Sequence, residues 1–429
     1  MESSGHLQVG FSNLPQEIVD HIIDQLKTDR PRDKTLEVHW RQNLGALVAC
    51  TLVCHNLLPR SSKHALGSIK VLCPPALCKS GGPHSDTELG RLLSHAESSP
   101  RLISNIYALC LAGRPNEELI GRAVRRFTNL THLRFRTENS QLIDAIDLED
   151  QAESVPSLLV GAHHVEQLVF ERCYVRSILR FLSLFASVDK LMFDIVWCIA
   201  RELPSDVFER LVCEKTQHLH ADTITIGTSD TRILRLAGPM LAPRSLRTLC
   251  FMDLCGNACR FVEPFLQEEA CLELECLRVQ ILSYAWRSTQ RNEDEKKVLD
   301  LTCSERLREV EVTLRDSSYL TTAERASFSP DFFAFACSFI LGNLPPSVQH
   351  VRLRFDPAIP DMTLPVYDLA LRNLATFLAA CSALERLEFV GRLGVKPQHA
   401  QSPSATKSYL TSKFFFQQPH IVHVIEDTF

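Results

Sequence analysis

Residues 274–279 read LECLRV, residues 307–312 read LREVEV, and residues 384–389 read LERLEF. Each hexapeptide has apolar side chains at its first, fourth and sixth positions, with mostly polar residues between them. Alternation over the last three positions is typical of a β-strand, because successive side chains of a strand point to opposite faces. The sequence therefore predicts short strands that each have one apolar face and one variable face.

The same pattern recurs along most of the chain, with starts between 23 and 41 residues apart, which indicates an internal repeat of irregular length. The copies are Ile106-Leu109-Leu111, Leu130-Leu133-Phe135, Val165-Leu168-Phe170, Val188-Leu191-Phe193, Leu246-Leu249-Phe251, Leu274-Leu277-Val279, Leu307-Val310-Val312, Val348-Val351-Leu353 and Leu384-Leu387-Phe389. A weaker copy is Thr216-Leu219-Ala221, and the tail from Phe414 to Phe429 is predicted to add a last strand.

Stretches with helical spacing lie between the copies, so each repeat is predicted to contain one strand and one helix. The predicted helices are Leu119–Phe127, Val175–Phe185, Asp206–Val212, Phe332–Leu341 and Leu369–Ala380. Alternation of strand and helix favours parallel strands, because a parallel neighbour needs a crossover connection. One such unit cannot bury its own apolar face, whereas a stack of units forms a continuous core. The predicted class is therefore α/β, with parallel strands on one face and helices on the other.

This repeat resembles an irregular leucine-rich-repeat solenoid. That family usually has Asn or Cys three residues after the last apolar position of each copy, where the side chain satisfies backbone groups of the turn. Only Cys173 occupies that position here, so the other turns are expected to be satisfied differently.

The variable side chains of the strands predict an interaction surface. Those between the last two apolar positions should line one open face of the sheet: Arg134, Val169, Met192, Cys250, Arg278, Glu311, Arg352 and Glu388. With neighbouring charges, the predicted target-binding residues are Arg134, Arg136, Met192, Arg278, Arg308, Glu311, Arg352, Arg354 and Glu388. Several polar contacts around apolar ones suit recognition of a protein or peptide. Ordinary solvation of a sheet face is the alternative.

Residues 11–70 form a different kind of sequence. Leu14-Pro15 opens an amphipathic helix, since Pro is tolerated in the first turn and Glu17 complements the positive end of the helix dipole. A polar insert at 28–43 is followed by a second apolar helix, which Pro59 interrupts, and by a predicted short helix from Ser62 to Ile69. This segment has more apolar surface than a small helical unit can bury.

The segment resembles an F-box, the helical motif that docks onto the Skp adaptor of SCF-type (Skp–cullin–F-box) ubiquitin ligases, and LVCHNLLPRS at 52–61 is close to fungal-type forms. The match includes Arg60, whereas Leu57 stands where the family often has an aromatic residue. The adaptor-binding residues that the resemblance implies are Leu14, Pro15, Ile18, Ile22, Ile23, Leu26, Leu47, Leu52, Val53, Cys54 and Leu57.

Composition is typical of an ordered protein in a reducing compartment. The net charge of −5 provides no overall attraction for nucleic acid or for an anionic membrane, and no apolar run is long enough to span a bilayer. The 16 cysteines are scattered through apolar runs without paired C-x₂-C spacing, which predicts free thiols, a cytoplasmic or nuclear location and no structural zinc.

One short motif suggests a different chemistry. His218, His220 and Asp222 alternate on a predicted strand, so two imidazoles and a carboxylate would point to the same face and could meet at a metal ion. A polar solvent face is the favoured alternative, because the later strands do not end in further His or Asp. No phosphate-binding glycine motif or nucleophile elbow is present.

The sequence and its resemblances together predict three parts: an F-box-like helical motif at 11–70, a linker at 71–100 and a repeat region at 101–429. The expected protein is a substrate receptor rather than an enzyme, with no cofactor and no bound metal. Its partners would be a Skp-type adaptor, through it a cullin ligase, and a target protein. The alternatives are a non-catalytic repeat scaffold whose N-terminal helices only cap the array, and a metal-dependent hydrolase that uses His218 and His220.

Overall fold

A computed structural model describes the chain in segments. These are residues 16–26, 46, 60–61, 64, 67–73, 88–113, 117–136, 163–173, 178, 181–182, 184–195, 218–227, 231–254, 259–283, 298–315, 329–393, 403–413 and 421–426. The chain divides into two compact units, Met1–Asp144 and Ala145–Phe429. Each unit is an α/β structure with parallel strands.

Four helices and three strands of the first unit have described bounds, and residues 46, 60, 61 and 64 are also helical. The helices are α1 (Gln16–Leu26), α2 (Glu88–Ser98), α3 (Pro100–Asn105) and α4 (Glu117–Arg126), and the strands are β1 (Ser68–Cys73), β2 (Ala108–Gly113) and β3 (His132–Arg136). The strands pair in parallel in chain order, with Val71 opposite Leu111 and Leu109 opposite Leu133. The side chain of Glu88, the first residue of α2, accepts a hydrogen bond from the Leu72 N–H at 2.8 Å, which ties this helix to β1.

The second unit contains the longer part of the repeat. Its strands are β4 (His163–Glu171), β5 (Phe185–Asp194), β6 (His220–Ile226), β7 (Thr248–Phe251), β8 (Cys276–Leu282), β9 (Glu309–Arg315), β10 (His350–Ile359), β11 (Arg386–Leu393) and β12 (Val422–Glu426). Its named helices are α5 (Arg232–Ala237), α6 (Cys259–Leu266), α7 (Pro330–Leu341), α8 (Asp368–Ala379) and α9 (Pro403–Lys413). Three 3₁₀ turns occupy Gly238–Met240, Glu269–Cys271 and Pro365–Tyr367.

These nine strands pair in parallel and in chain order, which is consistent with a solenoid-like α/β architecture. The predicted apolar positions align across the strands as two buried ladders. One ladder consists of Leu168, Leu191, Ile224, Leu249, Leu277, Val310, Val351, Leu387 and Val422. The other begins with the stacked rings of Phe170 and Phe193, whose centroids are 5.9 Å apart. Helix α7 packs on this face, since the Phe333 ring lies 6.1 Å from that of Phe355 on β10.

A recurring hydrogen-bond pattern joins successive repeats where the chain enters six of the strands. One carbonyl before a strand accepts the N–H groups of two consecutive residues in the next repeat: Arg308 O accepts from Gln349 and His350, each at 2.9 Å. The same arrangement occurs at the carbonyls of Gly67, Tyr107, Arg247, Glu275 and Gln349. The repeats are therefore joined by backbone bonds, which do not require a particular side chain at the turn.

At the opposite ends of the strands, Cys173 occupies the turn position that the sequence pattern singled out. Cys173 is buried, and its thiol donates to the carbonyl of Glu171 at 3.4 Å. Arg172 and Ile195, which directly follow β4 and β5, have φ angles of 55° and 53°. Gly113, which ends β2, has φ of 108°, and a Cβ there would lie 1.9 Å from the Cys73 carbonyl oxygen. This position therefore requires glycine.

All nine complete copies of the sequence pattern coincide with strands, and β12 confirms the predicted last strand in the tail. The weaker copy at Thr216 was placed five residues too early, because the apolar positions that align in β6 are Ala221, Ile224 and Ile226. Residues Ser68 and Ile69 belong to β1 and not to a helix, since they pair with β2. Strand β1 extends into the predicted linker at 71–100, and α2 also lies within it.

The described helices begin and end close to the predicted bounds where the sequence indicated them. Helices α4, α7 and α8 correspond to Leu119–Phe127, Phe332–Leu341 and Leu369–Ala380. Residues 206–212 lie outside the described residues. Near the C-terminus, Asp368 of α8 accepts a hydrogen bond from the Tyr409 hydroxyl at 2.7 Å and lies 2.8 Å from the Lys413 ammonium, so α9 is held against α8.

Candidate functional site

The variable positions of the nine strands form one continuous row across the sheet of the second unit. In order from β4 to β12, this central row consists of Val169, Met192, Thr225, Cys250, Arg278, Glu311, Arg352, Glu388 and His423. Every neighbouring pair is directly opposite in register, so adjacent Cα atoms are separated by about 4.8 Å, the usual spacing of strands. The row lies on the face opposite the buried Leu277 ladder.

The first four members of the central row, Val169, Met192, Thr225 and Cys250, carry no charge, and we call them the uncharged half. Val169 is buried, whereas the other three are partly exposed. Burial raises the pKa of the Cys250 thiol, which also interacts with the hydroxyl of Thr225. The thiol therefore stays protonated and neutral near pH 7.

The next four members, Arg278, Glu311, Arg352 and Glu388, alternate in sign, and we call them the charged half. The Arg352 guanidinium is the centre of this group. Its Nε atom donates to Glu388 Oε2 at 2.6 Å, and its Nη1 atom lies 3.6 Å from Glu311 and 3.7 Å from Glu309. Because the strands on both sides supply carboxylates, the Arg352 guanidinium pairs with glutamates of β9 and β11 at once.

Glu388 is the deepest charged residue of the face, with only 2% of its surface exposed. An isolated carboxylate at such a position would lose most of its hydration at high cost. Arg352 approaches one of its oxygens and Arg386, on the same strand, approaches the other. Ion pairing with the two arginines therefore replaces part of the lost hydration, although Oε1 accepts no hydrogen bond from the described part of the chain. The contact with Arg352 depends on the register of β10 and β11, whereas Arg386 belongs to the same strand as Glu388. In keeping with this, the hydrogen bond to Glu388 and the nearby carboxylates raise the pKa of Arg352 against the opposing effect of burial.

The remaining predicted target-binding residues occupy three different places. Arg134 and Arg136 are on β3 in the first unit, where Arg134 is opposite Cys110 and Arg136 is opposite Ala112. Arg354 lies two residues beyond Arg352 on β10, on the same face, and is opposite Thr313. Arg308 directly precedes β9 and is exposed, but it is outside the central row.

The register adds two residues that the sequence pattern had not singled out. Thr225 belongs to the central row because the true copy of the motif in β6 begins at Ala221, and His423 belongs to it through β12. The signal for Thr225 was present in the sequence, since Ile224 and Ile226 flank it with the same spacing as in the other strands. His423 is flanked by Val422 and Val424 in the tail.

In the first unit, an ion-paired cluster links α1 to residues that come 36 and 40 positions later. Arg60 Nε donates to Asp24 Oδ1 at 2.8 Å, and its Nη2 atom contacts the second carboxylate oxygen, so the pair is bidentate. His64 Nε2 lies 2.7 Å from Asp24 Oδ1. Hydrogen bonds from Arg60 and then His64 hold the pKa of Asp24 well below its ordinary value. The carboxylate therefore stays ionised well below neutral pH, and the pairing fixes the end of α1.

Helix α1 presents two kinds of apolar side chain. Val19 and Ile23 are buried within the chain, with 3% and 1% of their surfaces exposed, whereas Ile18 is 48% exposed. Of the predicted adaptor-binding residues, Ile18 therefore has the accessible surface that docking requires. Ile22 and Leu26 lie on α1, and their side chains are outside the described residues. The other predicted adaptor-binding residues also lie outside them: Leu14, Pro15, Leu47, Leu52, Val53, Cys54 and Leu57.

The residues of the His-x-His motif are spread along the start of β6. His218 and His220 are exposed, and Asp222 lies 3.6 Å from the Arg247 guanidinium. Among the described residues, no group of three or more His, Cys, Asp and Glu side chains is arranged to hold a metal ion. The Asp222 carboxylate is thus paired with an arginine side chain.

No protein-family model matches the chain, and no curated protein sequence matches it. None of the helices in the described part of the chain is both long and apolar enough to cross a membrane.

Proposed function

We propose that this chain is the substrate receptor of an SCF-type ubiquitin ligase, in which the N-terminal F-box-like segment docks on a Skp-type adaptor and the repeat region binds a target protein. It would act in the cytoplasm or nucleus. The ligase core would reach it through a cullin. No catalytic group is assigned to this chain.

The central row is the observation that carries the proposal. Nine side chains from nine strands form one continuous line, so the sheet presents a long surface whose members come from many separate repeats. A surface of this kind suits recognition of another polypeptide through apolar contacts with polar contacts around them.

The first unit supplies the support for the adaptor-binding part. The Asp24–Arg60 pair holds α1 to a residue of the segment that resembles the F-box, while Ile18 keeps almost half of its surface accessible. A rigid helix that leaves a large aliphatic side chain exposed is a suitable anchor for a partner, because little conformational entropy is lost on binding.

The proposed mechanism is proximity. Residues 11–70 would attach the chain to the ligase core, and the repeat region would hold the target within reach of a charged ubiquitin-conjugating enzyme. Holding two reactants together raises their effective concentration without a catalytic group on this chain.

Co-purification with a Skp-type adaptor tests the proposal. The full-length chain is expected to bind the adaptor at micromolar concentration, and the double substitution Leu14→Ala with Pro15→Ala is expected to abolish binding. Ile18→Lys should also weaken it by about tenfold, because it places a charge in an apolar contact. His21→Lys is the matched control, since it also introduces one lysine at an exposed position of α1 and leaves Glu17 in place.

Two outcomes would favour the alternatives. If the wild-type chain does not bind the adaptor, the F-box assignment is wrong and the N-terminal helices only cap a repeat scaffold. If protein purified without chelator contains a stoichiometric metal that is lost on His218→Ala with His220→Ala, the hydrolase alternative gains support.

A further inference from the structure

Arg278 occupies the boundary between the two halves of the central row, opposite Cys250 on one side and Glu311 on the other. Its side chain is 52% exposed, and its Nε atom lies 3.7 Å from Glu311, which is too long for a hydrogen bond. Glu311 is shared with Arg352 at 3.6 Å. Arg278 is therefore weakly paired in comparison with Arg352, whose bond to Glu388 is 2.6 Å long.

The surroundings of Arg278 on the side of the uncharged half are neutral. Burial raises the pKa of Cys276 to about 11 and also raises that of Cys250, so both thiols next to the guanidinium are protonated at neutral pH. Neither thiol can act as a counter-ion. A guanidinium has five N–H donors in a planar fork, and it binds carboxylates in a bidentate manner.

Apolar side chains lie on the same side of Arg278 as the uncharged half. Met192 is partly exposed in the central row. Ile195 and Met252 follow the ends of β5 and β7 and expose 38% and 43% of their surfaces. Exposed large aliphatic groups beside the uncharged half of the row are typical of a site that binds an apolar side chain. Lys190 and Asp194 flank Met192 on the same face of β5, so the uncharged stretch is confined to the central row.

The distance between Met192 and Arg278 sets the spacing of the groups that a ligand would need. Met192 and Arg278 are three strands apart, which corresponds to about 14 Å across the sheet. An extended chain rises about 3.3 Å per residue, so this distance equals about four residues. An extended peptide could then place an apolar side chain at Met192 and a carboxylate at Arg278.

We propose that the uncharged half and Arg278 together bind an extended acidic segment of the target, with an aliphatic or aromatic side chain over Met192 and Thr225 and an Asp or Glu carboxylate on Arg278. This inference rests on the proposed target-binding function. The charged half beyond Arg278 adds little to the affinity for an acidic segment, because Arg352, its single arginine, is already paired with Glu309, Glu311 and Glu388. The predicted target-binding face thus narrows to its neutral side and a single arginine.

Selection of random displayed peptides on the full-length chain tests the inference. We expect the enriched peptides to contain Asp or Glu about four residues from a large apolar residue. Synthetic versions should bind Arg278→Gln and Met192→Lys at least about tenfold more weakly than the wild type. Arg306→Gln is the matched control, since Arg306 is also an exposed arginine with a long ion pair, at 4.0 Å from Glu273, but lies outside the central row.

A charge reversal separates a direct contact from a folding defect. Arg278→Glu should bind the same peptides more tightly once their acidic residue is replaced by Lys, whereas the wild type should bind these replaced peptides less tightly. Enrichment without acidic residues, no enrichment, or binding that is unchanged in Arg278→Gln would overturn the inference. Adaptor binding, measured separately, distinguishes failure of this inference from failure of the F-box assignment, because it depends on the first unit.

Discussion

The two halves of the central row have the same backbone geometry and opposite chemistry. In the charged half, each strand carries a charge opposite in sign to that of its neighbour, and the register brings them together. In the uncharged half, the same positions carry Val, Met, Thr and Cys, which do not neutralise a charge on the next strand. Charges that alternate across parallel strands therefore favour the observed register, whereas the uncharged positions contribute no such pairing.

The largest effect is expected at Glu388. Replacing it by Ala leaves Arg352 and Arg386 close together without their shared carboxylate, and should lower the free energy of unfolding by about 2–3 kcal/mol. This is below the usual loss for a fully buried pair, because the arginine side chains are 38% and 47% exposed. Met192→Ala is the control in the uncharged half and should change stability less. Urea unfolding of both variants would measure the contrast, and equal losses would contradict it.

A double-mutant cycle would locate the coupling within the charged half. Arg352→Met and Glu388→Leu, measured alone and together, are expected to give an interaction energy of about 1–2 kcal/mol. This is the lower part of the range of about 1.5–3 kcal/mol for a hydrogen bond to a charged group, because the Arg352 side chain is 38% exposed to screening water. The same cycle for Met192→Ala and Thr225→Ala should give a value near zero. A coupling energy at Arg352–Glu388 that is also near zero would mean that the alternation of charge does not stabilise the register.

Ile195, which follows the end of β5, is a position where a substitution is expected to stabilise the protein. A β-branched residue at φ of 53° is unfavourable, so Ile195→Gly should raise the free energy of unfolding by about 1 kcal/mol. Asp189→Gly is the control within the same strand, where glycine should lower stability by about 0.5–1 kcal/mol. Thermal unfolding of the two variants should therefore shift in opposite directions, and a shift of the same sign would refute the assignment of strain to Ile195.

The smallest effect concerns the thiol of Cys276, which lies beside Arg278 and is expected to be neutral. Burial raises the pKa of Cys276 to about 11, so its thiolate is scarce at pH 8. The thiolate fraction, and with it the rate of modification, should rise about tenfold for each unit by which the pH is raised towards 11. Iodoacetamide is expected to modify the exposed Cys303 first and the buried Cys276 much more slowly, as measured by peptide mass spectrometry. Equal rates at pH 8 would mean that Cys276 is accessible and ionised, and the boundary would not be neutral.

The strand positions could be predicted because their signal is local. Leu277 and Val279 show the period of two that a half-buried strand requires, and the other complete copies show it as well. Strand β1 carries the same signal, since Leu66, Ile69 and Val71 have the spacing of the other copies, but the helical interpretation of residues 62–69 excluded it. The strand-entry bonds could not be predicted, since they involve only backbone atoms.

The charged half shows the limit of the sequence for the candidate site. The alternation of Arg278, Glu311, Arg352 and Glu388 was visible, and it first suggested a surface for binding a target. Which charge pairs with which depends on contacts between residues far apart in the sequence, such as Arg352 and Glu388, which are 36 positions apart. Sequence periodicity carries no information about these distances.

The sequence by itself determined the α/β class, the repeat, and which side chains of each strand share a face, because the alternation of a strand depends only on neighbouring residues. The tertiary structure decided the register, which buries Glu388 beneath two arginines and leaves Arg278 weakly paired beside a neutral surface. It also decided that Asp24 meets Arg60, and that Ile23 is buried while Ile18 stays accessible. These features depend on residues distant in sequence, whose burial and pairing follow from packing alone.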